Sequence, residues 1–221
     1  MILAPSPNFD TRPGSPIDHL VLHYTGMTSC AAAVARLSDP AAKVSAHYVV
    51  DEDGTIYALV NEENRAWHAG ASYWRGVRGL NDRSVGIEIV NPGHEWGYRA
   101  FPEAQMLAVR DLCLGILARW PGIEARNVVA HSDIAPDRKQ DPGERFPWAW
   151  LAKHGVGLWT EAMATPGDFW SDLAVIGYDT RLPEPTVITA FQRHFLPAHL
   201  SGEADNETVG RAAALQKELN Y

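Results

Sequence analysis

The run His19-Leu-Val-Leu-His-Tyr-Thr25 is β-rich and apolar on both faces, which predicts a strand in the middle of a covered sheet. Ser29 to Leu37 is alanine-rich and predicts a helix that ends near Asp39-Pro40, because proline disfavours helix at the residue before it. Ala46-His-Tyr-Val-Val50 and Thr55-Ile-Tyr-Ala-Leu-Val60 flank the turn residues Asp51-Glu-Asp-Gly54 and predict a hairpin. Ser84-Val-Gly-Ile-Glu-Ile-Val90 returns to strand. Pro102 to Trp120 carries helical spacing through Met106, Leu107, Val109, Leu112, Cys113, Ile116 and Leu117. Asn127-Val-Val-Ala-His131 is a short strand leading into a polar loop. Arg65 to Asp82 has many Gly and Trp residues and little periodicity, and is expected to be a long functional loop without sheet elements.

Strands and helices alternate without a strict βαβ repeat. The fold class expected is therefore α/β, a mixed central sheet with helices packed on its faces. From Trp148 to Thr160 the chain becomes aromatic and irregular, and Pro166-Gly167 punctuates it. The division expected is a main domain over 1–165 and a small module over 166–221. Phe169 to Ile176, Thr186 to Phe195 and Thr208 to Leu219 are three amphipathic segments, which predict three helices. A unit of roughly 50 residues is marginal alone and is expected to lean on the larger domain.

The 221 residues hold 19 Lys and Arg against 27 Asp and Glu, a formal net charge of -8 with no basic cluster. That balance repels phosphate backbones and anionic lipid, so neither nucleic acid nor a membrane surface is an expected partner. Met1 to Pro7 has no basic stretch, and its apolar run stops at Pro5, so a cytoplasmic location is expected. Cys30 and Cys113 lie in separate helix-like stretches and read as reduced, packed thiols. The sequence specifies no oligomeric state.

Two histidines stand out because each belongs to an otherwise apolar strand. His23 lies inside one and His131 closes another, placing both imidazoles where strands run out of the core. A hydrolytic metal site needs three protein ligands and an open position. His19 faces the same side as His23, but four extended residues separate the two by about 13 Å, too far to share one ion. The loop His131-Ser-Asp-Ile-Ala-Pro-Asp-Arg-Lys-Gln-Asp-Pro-Gly143 offers Asp133, Asp137 and Asp141 as a third ligand, and spacing does not choose among them.

Leu22-His-Tyr-Thr25, Ser45-Ala-His-Tyr48, Ala66-Trp-His-Ala-Gly70, Asn81-Asp82, Gly86-Ile-Glu-Ile89 and the His131 to Gly143 loop occur in that order. Over about residues 15 to 155 this series resembles the type-2 N-acetylmuramoyl-L-alanine amidases, zinc enzymes related to phage-lysozyme-type amidases and peptidoglycan recognition proteins. The resemblance extends to bacterial members with a small C-terminal peptidoglycan-binding-like module. It implies Zn²⁺ held by His23, His131 and Asp141, Glu88 as the catalytic carboxylate, and Lys139 as the cation beside the scissile carbonyl. Trp67, His68, Asn81 and His47 are expected to bind substrate, and Tyr73 and Trp74 to offer flat faces to a sugar or peptide. Two positions depart from relatives. Ala46 stands where some place a catalytic tyrosine, and Gly79 where others carry an arginine for anhydro-sugar ends.

The expected activity is zinc-dependent hydrolysis of the amide between N-acetylmuramic acid, including its 1,6-anhydro form, and L-alanine. The expected partner is a muropeptide, and the expected setting is recycling of cell-wall fragments. A recognition protein that holds such peptides without cutting them is the alternative. Loss of a metal ligand would mark it, and none of the three is lost.

Overall fold

The computed structural model describes residues 1–219. In chain order the elements are β1 (Ile2–Leu3), β2 (Phe9–Thr11), β3 (His19–Tyr24), α1 (Cys30–Ser38), β4 (Tyr48–Val50), β5 (Ile56–Ala58), β6 (Asn64–Ala66), β7 (Tyr73–Trp74), β8 (Val77–Arg78) and β9 (Ser84–Ile89). There follow α2 (Gly93–Trp96), α3 (Glu103–Arg119), β10 (Val128–Ala130), α4 (His131–Ile134), α5 (Trp148–Lys153), α6 (Phe169–Ile176), α7 (Glu184–Phe195) and α8 (Asn206–Leu219).

The main sheet has the order β1-β5-β4-β9-β3-β10 and is mixed, as the alternating elements required. Strands β4, β9, β3 and β10 run parallel, while β5 is antiparallel to β4 in the predicted hairpin. Leu20 and Leu22 of β3 share one face with Val85, Ile87 and Ile89 of β9, and α3 covers it with Met106, Val109, Cys113 and Ile116. On the opposite face Val49 packs with Cys30 and Leu37 of α1. Further along that face, Val21 and Val129 pack into one apolar cluster with Leu173, Ile176, Val187, Phe191 and Phe195 of the C-terminal helices. Both faces are covered, which is why β3 and β9 read as apolar throughout.

Helices α6, α7 and α8 lie where the three amphipathic segments predicted them, and their apolar faces continue into the core of the sheet. Asp168 caps α6, its side chain accepting from the backbone N–H groups of Trp170 and Ser171. Cys30 and Cys113 are buried free thiols. Two expectations are corrected. The 65–82 stretch does hold sheet elements: β6 pairs with β2, and β7 with β8. Trp148 to Lys153 is helical where irregular chain was expected. Strands of two or three residues are too short for a period of two to register.

Candidate metal centre and active site

The parallel strands deliver the chemistry at their carboxyl ends, where loops diverge and a ligand can enter. His23 is the fifth residue of β3 and pairs in register with Glu88 of β9, while His131 directly follows β10. Asp141 returns to this point through its own backbone, its carbonyl accepting the Ser132 N–H at 2.9 Å. His23 Nδ1 lies 2.9 Å from His131 Nδ1, and Asp141 Oδ2 lies 3.0 Å from each of them. A tetrahedral ion with bonds of about 2 Å spaces its donors about 3.3 Å apart, a few tenths beyond the separations here.

The surroundings fit a metal. His131 Nε2 faces the Ala69 carbonyl at 3.2 Å, and a carbonyl only accepts, so the ring proton sits there and the Nδ1 lone pair points inward. That lone pair meets a carboxylate oxygen, an arrangement of acceptors that a cation resolves. Burial, with the adjacent His131 adding, lowers the His23 pKa to about 4, which keeps the ring neutral and able to ligate. Asp141 is held ionised well below the ordinary carboxylate range: burial opposes this, and the two imidazoles beside it outweigh burial. Among the described residues, His23, His131 and Asp141 form the one cluster suited to a metal.

Glu88 and Lys139 line the same cleft, of about 420 Å³, together with Trp67, His68, His131 and Asp141. Glu88 Oε2 is buried without a hydrogen-bond partner. Burial pushes its pKa well above the usual carboxylate value, Asp141's negative charge adds to the rise, and Lys139 opposes it. Lys139 is oriented through its backbone N–H, which donates to Ala135 O at 3.0 Å.

The family profile of N-acetylmuramoyl-L-alanine amidases matches residues 13–144. The chain belongs to this amidase family. It is 41% identical to the N-acetylmuramoyl-L-alanine amidase AmiD of Escherichia coli, over 89% of this chain and 81% of AmiD. The structure of AmiD in complex with anhydro-N-acetylmuramic acid-L-Ala-D-gamma-Glu-L-Lys superimposes with a TM-score of 0.82 at 39% identity, covering 95% of this chain and 92% of AmiD. AmpDh3 of Pseudomonas aeruginosa superimposes with a TM-score of 0.84 at 34% identity, covering 93% of each chain. AmpDh3 has also been solved in complex with anhydromuramic pentapeptide. The alternative of a non-cutting recognition protein therefore gives way to an enzyme, an amidase of the bond that the family name describes.

Within the amidase the expected substrate contacts divide. Trp67 is half-buried and lines the cleft, its indole N–H donating to Asp10 at 2.8 Å. His68 is in the wall, but both of its ring nitrogens meet protein groups. Asn81 turns its Oδ1 to the chain, accepting the backbone N–H groups of His68 at 3.1 Å and Ala69 at 2.7 Å. His47 is fully buried, its Nδ1 accepting the Gly86 N–H at 2.9 Å while Nε2 lies 3.1 Å from Asn64 O. Asn81 Oδ1 and both ring nitrogens of His47 are thus taken up by the protein framework. Trp74 is 3% exposed and packs on Tyr178, so it belongs to the core, and Tyr73 sits under Arg181 and Arg78 outside the cleft.

Asp133, left open by spacing, is not at the metal point. It is buried, accepting the Ala130 N–H at 2.8 Å, Tyr178 O–H at 2.7 Å and His194 Nδ1 at 2.7 Å. Asp137 is exposed. Tyr178 and His194 carried no expectation from the sequence. Nor did Ser84 and Gly86, although they stand four and two residues before Glu88 and so share its face of β9, a signal present in the period of the strand.

Proposed function

We propose that this amidase is a zinc enzyme in which His23, His131 and Asp141 hold the ion, and that it cleaves muropeptides carrying 1,6-anhydro-N-acetylmuramic acid as well as ordinary muramyl-peptides. The observation that carries the reading is the convergence of two imidazoles and one carboxylate beside an unpartnered Glu88 in a single cleft. Two neutral nitrogens and one carboxylate leave a divalent ion with net positive charge. When bound, zinc supplies Lewis acidity that polarises the scissile carbonyl and acidifies water.

Glu88 handles the proton. Its raised pKa moves its proton affinity toward neutral pH, where a carboxylate works best as an acid–base group, so it takes the proton of the attacking water and passes it to the leaving nitrogen. With Ala46 in place of a second hydroxyl donor, Glu88 carries more of that transfer. Lys139 faces the negative charge that develops on the former carbonyl oxygen. Trp67 offers an apolar face to the substrate at the cleft wall.

Support for the anhydro-muropeptide comes from AmiD and AmpDh3, both solved with anhydromuramic peptides. Mass spectrometry of defined muropeptides, with and without anhydro ends, incubated with the zinc-loaded protein tests the reading. Release of intact stem peptide from the anhydro form supports it, and cleavage of intact sacculi alone refutes it. Work on imported fragments in the cytoplasm belongs to the same proposal. Fractionation that finds the native protein in the periplasm overturns that part and leaves the chemistry standing. The 166–221 segment acts in this reading as a buttress of the catalytic body, supported by its shared core with the sheet.

A further inference from the structure

Two consecutive residues complete both histidine ligands on their far sides. His131 Nε2 meets the Ala69 carbonyl, and His23 Nε2 lies 3.0 Å from His68 Nδ1. For His131 the direction of the bond is set by the carbonyl. For His23 it follows from the groups behind His68. Ser84 Oγ donates its only proton to Leu80 O at 2.7 Å, so toward His68 Nε2, at 3.2 Å, it can only accept. His68 therefore carries its proton on Nε2 and, as a neutral ring, accepts at Nδ1. His23 then donates from Nε2, and its Nδ1 lone pair turns toward Asp141.

The turn that performs this is built into the surrounding chain. Asn81 Oδ1 takes both backbone N–H groups of the pair, fixing the direction in which His68 and the Ala69 carbonyl project. Arg138 Nη2 donates to the same Ala69 oxygen at 2.6 Å. On β9, Ser84 supplies the anchor, Gly86 the space and Glu88 the carboxylate, three alternate residues on one face. A Cβ at Gly86 would stand 2.5 Å from the His68 ring, so only glycine leaves the ring its place. Both ring nitrogens of His68 are consumed, leaving it no polar atom for substrate.

We propose that the His68-Ala69 turn is the positioning device of the metal centre: His68, anchored on Ser84 and held by Asn81, fixes His23 in the form whose Nδ1 faces the ion, as Ala69 does for His131. This rests on the metal reading above. It makes His68 a positioning residue whose effect is read in ion affinity. Partners of this kind behind a ligating histidine typically change metal affinity by about 10- to 100-fold when removed.

The test compares wild type with His68→Leu, His68→Gln and Ser84→Ala by zinc competition against a chelator, and reads side-chain ¹⁵N histidine spectra of the wild type. Leucine should weaken zinc binding by about 10- to 100-fold. Glutamine should restore most of it, since its Oε1 accepts from His23 and its amide donates to Ser84. Ser84→Ala, which removes only the anchor oxygen, should weaken binding in the same direction by a smaller factor, and serves if the leucine variant fails to fold. The spectra should show His68 protonated at Nε2. Unchanged affinity in His68→Leu or Ser84→Ala, a glutamine variant as weak as leucine, or a His68 proton on Nδ1 each overturns the proposal. A wild type that binds no zinc sinks the metal reading instead, and the spectra still decide the direction of the His23–His68 bond.

Discussion

Tyr178→Phe tests whether the C-terminal helices help to hold the metal loop. The substitution removes one hydroxyl and keeps the ring, which packs against Trp74 at 5.0 Å between centroids and against Phe191 at 6.0 Å. The lost bond is the 2.7 Å contact to Asp133 Oδ1, whose acceptor residue is 0% exposed. Burial, with Asp133's charge adding, raises the Tyr178 pKa well above its usual value, so the hydroxyl remains a donor across the working pH range. A buried hydrogen bond to a charged group contributes about 1.5–3 kcal/mol. In a chain of this size each 1 kcal/mol moves Tm by about 2–4 °C, so Tm should fall by about 3–12 °C in scanning calorimetry. Asp133 sits two residues after His131 and also accepts the Ala130 N–H, so amide exchange over residues 131–141 should accelerate with it. A variant with unchanged Tm and unchanged exchange in that loop would refute the reasoning.

Glu88→Gln should retain zinc while kcat falls by about 10²- to 10⁴-fold, the usual range for a general acid–base group; a loss below tenfold in steady-state assays makes Glu88 structural. Lys139→Ala should lower kcat with little change in KM, and an effect confined to KM would make it a substrate-binding residue instead. His47 predicts a slope in stability with pH. Burial lowers its pKa from 6.5 to about 4, so below pH 6.5 the unfolded chain binds a proton that the folded chain refuses. Its contribution is thus lost as pH falls from 6.5 toward 4, by up to about 1.4 kcal/mol per unit. Denaturant titrations of the metal-free protein should show a flatter pH dependence across that window for His47→Gln, and an unaltered slope counts against the assignment.

The periodicity of the chain determined the elements that form the core. β3, β9, α3 and the three C-terminal helices each bury a repeating set of apolar side chains, and burial is what makes a strand or helix readable locally. The same logic exposed His23, a polar interruption in a buried strand, and His131 at the end of another. Spacing left Asp133, Asp137 and Asp141 open and only the resemblance pointed to Asp141; the physical reason lies in the tertiary structure, because a polar stretch carries no period and its side chains are assigned by whatever meets them. Tyr178 and His194 arrive from 45 and 61 residues away to claim Asp133, and the Ser132–Asp141 backbone bond brings Asp141 to the histidines. The partners of Asn81 Oδ1 and of the His47 ring, chiefly backbone groups with Arg12 beside His47 Nε2, likewise come from distant parts of the chain. Local sequence decides which residues are buried, but the direction of a hydrogen bond depends on partners that only the folded chain brings within 3 Å.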